Sequence, residues 1–299
     1  MAGMLALLHT LRIAATEGRR FDRETEAYIH ENAVAFEKLS PKQITAELLP
    51  LLCGKNVLEV LLDYPDVFSA FLPELSPCVG FAQNNPYHKY TVYDHIAHAV
   101  ASAPEGDATV RLALLFHDIG KPLCYTEDDR GGHFYGHAKI SAELAGRVLE
   151  RLELPTQLKA DVLELVQYHD TILEATPKVV RRWLNRLGRE RFFRLLEVKR
   201  ADTLAQVEHI QTERLAQLQE LKVLAETVLA EQERFSMKDL AVNGRDLLGL
   251  GVPEGEQVGT ILRTLFEEVS AGALENETTG LLRRAAELSG KGGNCDGIR

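Results

Sequence analysis

Cysteine is scarce and scattered in this chain. Its four cysteines, Cys53, Cys78, Cys124 and Cys295, form no Cys-x-x-Cys pair. That excludes a zinc ribbon and a disulfide scaffold, and it fits a reducing, cytoplasmic setting. Long apolar runs are absent too. No stretch approaches the roughly 20 residues that cross a bilayer, so no membrane partner is expected. The N-terminal MAGMLALLHTLRIAA is interrupted by His9 and Arg12 and has the pattern of an amphipathic helix, not of a signal peptide. A basic excess is missing as well. Net charge is −10, which weighs against broad nucleic-acid binding, because backbone affinity comes from Lys and Arg neutralising phosphates. One segment runs the other way: residues 178–200 hold nine basic and two acidic side chains, +7 locally against −17 for the remainder. A solvated helical pair facing acidic neighbours and an RNA-facing patch both explain it.

What the chain does have is helical periodicity from end to end. Helices are expected over 4–17, 22–38, 40–52, 55–63, 66–71, 92–103, 108–118, 137–153, 156–169, 177–187, 189–205, 206–233, 254–271 and 278–289. Ser40 is the N-cap of the third, with Pro41 at its first position. The stretch 72–91, rich in Pro, Asn and Gly, reads as a loop, and 124–133 as a hairpin or excursion. The fold class is all-α. The expected parts are a helical neck-like region (1–75), a metal-binding domain (76–205), a C-terminal helical region (206–290) and a disordered tail (291–299).

The chemistry points to one pair. His117 and Asp118 stand side by side at the end of the apolar run VRLALLFHDIGKP. A carboxylate buried without a partner costs several kcal/mol, so such a group is paired or given a metal. His95, His137, His169 and Asp202, mostly on other predicted helices, complete a nitrogen-and-oxygen set for one or two divalent ions. That set favours Mn, Fe, Co or Ni and admits Mg. Lys121 follows Asp118 by three residues and is a catalytic and phosphate-binding candidate. His88, Arg130 and His133, in flanking loops, are candidates for the substrate pocket.

The series His95, His117-Asp118, Asp202 resembles the signature of the HD-domain metal-dependent phosphohydrolase superfamily, with His137 and His169 similar to the extra histidines of its dinuclear members. The stretches LRIAATEGRRFD, LSPKQITAELLPLL, YHKYTVYDHIAHAV, LALLFHDIGKP, HFYGHAKISAELA, VKRAD and LAVNGRDLLGLG are closer still to the neck, body and tail of bacterial tRNA nucleotidyltransferases (CCA-adding enzymes and their poly(A) polymerase relatives). The nucleotidyltransferase head of that family is not expected in this chain, since no Gly-Ser pair followed by Asp-x-Asp occurs. The resemblance implies a helical HD domain flanked by a neck and a tail. Its first functional implication is a phosphohydrolase that cleaves nucleotides, phosphodiesters or 2′,3′-cyclic phosphates with metal-activated hydroxide, Asp118 bridging two ions. Its second is a headless body and tail that acts as a tRNA-binding module. A monomer or a homodimer is expected, the latter through an apolar stripe on the first helix.

Overall fold

The computed structural model describes residues 2–129, 131–234 and 236–290. Arg130, the expected disordered tail 291–299 and, within it, Cys295 lie outside the described residues. The chain is mostly helical. In order, α1 is Ala2–Glu17, α2 Arg23–Glu31, α3 Pro41–Leu52, α4 Val57–Asp63, α5 Pro65–Phe71, α6 Val92–Ser102 and α7 Ala108–Phe116. A short hairpin follows, β1 Thr126–Asp128 and β2 Gly131–His133, antiparallel with Glu127 opposite Gly132. Then come α8 His137–Arg151, α9 Thr156–Tyr168, α10 Pro177–Leu204, α11 Glu208–Arg234, α12 Gly244–Gly249, α13 Glu256–Ser270 and α14 Thr278–Leu288.

Local chemistry sets many of the helix starts. Asp22 accepts from the Thr25 N–H and Thr91 from the Asp94 N–H; Ser40 and Gln43 form a capping box. The predicted helix over 22–38 is two elements. It breaks at Asn32 (φ −108°), and Ala33–Lys38 is a 3-10 helix. The predicted break between 187 and 189 falls within α10, where Gly188 takes φ 77° and ψ 164°.

Two compact units divide the chain differently from the expected linear parts. The first comprises Met1–Ile172 and Glu190–Leu218; the second comprises Leu173–Arg189 and the described residues from Gln219 on. In the first unit, the expected neck and metal-binding regions share one core: α3 packs on α7, and α4 on α6. Helix α7 is its centre. Every residue from Thr109 to Phe116 is buried, so the helix carries its C-terminal His117-Asp118 pair deep into the interior. The second unit closes α12, α13 and α14 around Leu247, Ile261, Leu265, Leu281 and Ala285. There Asn276 staples a loop, donating to Asp239 O and accepting from Ala241 N, both at 2.8 Å.

Arg111 pins α7 in place. It is 1% exposed, and its guanidinium donates to the carbonyls of Leu52, Gly54, Ala103 and Pro104. Arg111→Met fills the space but leaves four carbonyls without that donor. Each buried orphan costs about 1–3 kcal/mol, with partial relaxation. The expected loss is roughly 3–5 kcal/mol, measured by urea unfolding. A loss under about 1 kcal/mol would show that the pin is dispensable.

Candidate metal centre

Four histidines and two aspartates converge in the first unit, and the backbone explains how. His117 follows the last residue of α7 and His169 the last residue of α9; both are still in helical conformation (φ −60° and −57°). His137 opens α8 after Gly136 (φ 79°). His95 lies on the buried face of α6 beside Val92, Ile96 and Ala99. Asp202 comes from α10.

Each imidazole is held by its Nδ1. That nitrogen donates to Leu114 O from His117 (2.7 Å), to Val166 O from His169 (2.7 Å), to Phe134 O from His137 (2.8 Å) and to Ala205 O from His95 (3.3 Å). In the neutral rings, Nε2 is then a bare lone pair. These lone pairs face one another: His95 and His117 Nε2 are 3.3 Å apart, and His137 and His169 Nε2 are 3.0 Å apart. Asp118 lies between the two pairs. Its Oδ2 is 3.3 Å from His95 Nε2 and 3.2 Å from His117 Nε2; its Oδ1 is 3.3 Å from His137 Nε2 and 3.6 Å from His169 Nε2. Asp202 Oδ1 is 3.0 Å from His95 Nε2.

Opposed lone pairs repel unless a cation or proton stands between them. The sets His95-His117-Asp118 and Asp118-His137-His169 therefore have the donor chemistry of two divalent-metal half-sites. Asp118 Oδ1 is buried and accepts no hydrogen bond, as fits a group reserved for an ion. The electrostatics without an ion agree. Burial opposes charge on His117, yet the adjoining Asp118 and Asp202 carboxylates push it up to about 10. Burial likewise works against the charge on Asp118, but His117 and Lys121 hold its carboxyl well below the usual range.

Lys121 is not an exposed lysine at a helix end. It is buried, and its Nζ is 2.7 Å from Asp118 Oδ2 and donates to Gln83 Oε1 at 2.8 Å. The His88 ring stands perpendicular to His95 at 4.9 Å, its buried Nδ1 has no hydrogen-bond partner, and burial pushes its pKa down to about 3. The structure does not bring His133 into the cluster: its Nε2 bonds Asp128 at 2.9 Å, and its ring stacks on Tyr135. His98 is likewise occupied elsewhere, stacked on Tyr90. Sequence reasoning missed Gln83, which sits in a loop without periodicity, and Lys199, which stands three residues before Asp202 in VKRAD.

The basic segment is divided. Arg191 pairs with Asp161 and Glu164, Arg194 with Asp107, and Arg200 with Glu197, while Lys199 donates to backbone carbonyls. These cations are structural. In the second unit, Arg181 pairs with Glu231, the Arg186 guanidinium lies over the Trp183 ring at 5.5 Å, and Arg182, Arg186 and Arg189 are all solvent-exposed.

A family model for tRNA nucleotidyltransferase domain 2 matches residues 133–285, just over half of the chain. The chain belongs to that family. It is 30% identical over 225 residues to the A-adding tRNA nucleotidyltransferase of Deinococcus radiodurans, covering 72% of this chain and 51% of that protein. It is 30% identical over 283 residues to the CC-adding tRNA nucleotidyltransferase of Thermus thermophilus, covering 90% of this chain and 63% of that protein. The chain thus spans between half and two thirds of these curated relatives. The crystal structure of the Bacillus stearothermophilus CCA-adding enzyme in complex with CTP shares the fold, with a TM-score of 0.53 and 19% identity over 95% of this chain and 61% of that one.

These findings overturn the first functional expectation. The family and the relatives are nucleotidyltransferases, which are transferases, so the assignments as hydrolase, phosphatase and phosphodiesterase are withdrawn, and with them the metal-activated hydroxide. The error came from carrying the reaction of the HD superfamily over with its ligand pattern: no HD domain is matched, and one pattern of side chains can serve different chemistries.

Gly120 lets the turn after Asp118 approach α8. A Cβ there would lie 2.7 Å from Ser141 N and 2.8 Å from His137 O, both backbone atoms. Gly120→Ala is therefore expected to cost about 1–3 kcal/mol in urea unfolding of metal-free protein. Within α8, a Cβ on Gly146 meets only Leu163 Cδ2 at 3.8 Å, and Gly146→Ala should stabilise by about 0.5–1 kcal/mol. Equal effects at the two positions would refute the close-approach argument.

Proposed function

We propose that these residues form the body and tail of a tRNA nucleotidyltransferase-type protein, that they engage tRNA, and that the His/Asp cluster holds one or two divalent ions. The observation that carries the proposal is the family match over 133–285, joined to the likeness to the CC-adding enzyme along 90% of the chain. Nucleotidyl transfer itself is not assigned to these residues. They contain no Gly-Ser pair followed by Asp-x-Asp, the carboxylates that would hold two metals in line with a triphosphate.

Arg182, Arg186 and Arg189 are the side chains proposed to meet phosphate. They are exposed on the stretch of α10 that belongs to the second unit. His95, His117, Asp118 and Asp202 would hold one ion, and Asp118, His137 and His169 the other. A bound ion there would supply Lewis acidity and neutralise negative charge. Lys121 and Gln83 would fix the Asp118 carboxylate, and His88 would border the pocket. Among the described residues no helix is long and apolar enough to cross a membrane.

The RNA arm is tested by tRNA binding across a salt series. Changing Arg182, Arg186 and Arg189 together to Ala should weaken binding about tenfold or more near 0.1 M salt and flatten the log–log salt slope by about two to three. Arg191→Ala should lower stability and leave that slope alone. Tight binding that ignores the triple change would sink the assignment. The metal arm is tested separately by elemental analysis after incubation with Mn²⁺ or Ni²⁺ and desalting. Retained metal is expected in the wild type and is expected to be lost in Asp118→Asn with helicity preserved.

A further inference from the structure

Lys199 performs a task that neither the family match nor the ligand set assigns. It lies in α10, three residues before Asp202, so one helix presents both side chains to the same side. Its Nζ donates to His169 O at 2.5 Å and to Thr171 O at 2.6 Å. Those carbonyls lie just beyond the end of α9, where the helix supplies no partners. After His169 the chain runs through residues 170–176 without a helix; Arg191 ties the middle of α9 to α10 through Asp161 and Glu164, and the Lys199 clamp ties its end, at His169. The ring depends on that backbone. Its Nδ1 is committed to Val166 O, and its Nε2 points at His137 Nε2.

We infer that Lys199 is a positioning residue that sets His169 for the second half of the metal centre, while Asp202, on the same helix, serves the first. This rests on the metal reading above. If it holds, α10 ties the two half-sites together through one rigid element, with His169 supplied by α9. A helix cap of purely structural value would raise overall stability without preference for either half-site. A positioning residue acts on one half-site and acts through His169.

The test is calorimetric titration of the whole chain with Mn²⁺ alone. In Lys199→Met, affinity at the Asp118-His137-His169 half is expected to fall about 10–100-fold, the range for outer partners of metal ligands. The His95-His117 half is expected to be unchanged, and Lys199→Arg, which keeps donors, should recover part of the loss. In a His169→Ala background, Lys199→Met should cause no further change in Mn²⁺ affinity. Circular dichroism of metal-free protein checks folding, and Lys199→Gln, with a shorter donor, replaces the Met variant if that one does not fold. Wild-type affinity in the folded variant, or the same loss with His169 already removed, would overturn the inference. A wild-type chain that binds no Mn²⁺ would overturn the metal reading first, and the inference with it.

Discussion

The first unit is organised around one buried negative charge. Asp118 is 1% exposed, and an ion moved from water to such a place carries a penalty of several kcal/mol. Lys121 and four imidazoles surround it. Each of those groups is itself buried and needs a reason to stay. The reason is often a helix end. His117 and His169 give their ring N–H to carbonyls of the last turns of α7 and α9, groups that a helix terminus leaves without partners. One hydrogen bond thus satisfies a stray carbonyl, fixes a ring and selects the tautomer that leaves Nε2 bare.

Ordinary helix formation brings these ends together. Helix α7 is buried from Thr109 to Phe116, with Arg111 its one charged side chain, so whatever follows it is delivered to the interior. Gly120 permits the next turn to approach α8 closely enough that a methyl group would collide with backbone. Arg111 holds the same helix against the end of α3 and the loop after α6. The cluster exists because packing of the apolar segments leaves its polar members no other place.

That logic was legible in the sequence where it depends on local pattern. The apolar run that stops at His117-Asp118 and the histidines at predicted helix ends all marked residues that the structure brings together. The all-α class was legible for the same reason. What stayed hidden depends on partner choice across the fold. Composition alone showed residues 178–200 as one basic patch, yet Asp161, Glu164 and Asp107, distant in sequence, neutralise its second half. His133 and His137 are four apart on paper, and a two-stranded hairpin turns the first toward Asp128. Gln83 reaches Lys121 from a loop that no periodicity singles out. The interleaved units could not be read from linear segments, because single helices belong to both: α10 divides between Arg189 and Glu190, and α11 between Leu218 and Gln219.

The proposed metal set and the proposed RNA-engaging surface are compatible in an acidic protein because the two are governed by different distances. Exposed charges more than about 8–10 Å apart are largely screened at physiological salt. A net charge of −10 therefore says little about what a phosphate meets at one helical stretch. What it meets is decided by which cations that stretch presents at the surface. Arg191, Arg194 and Arg200 are neutralised by carboxylates of the first unit, and they add to stability, not to any field felt outside. Arg182, Arg186 and Arg189 lie at the surface, where a phosphate can reach them. The His/Asp cluster obeys the opposite rule: largely buried, its charges interact strongly at short range.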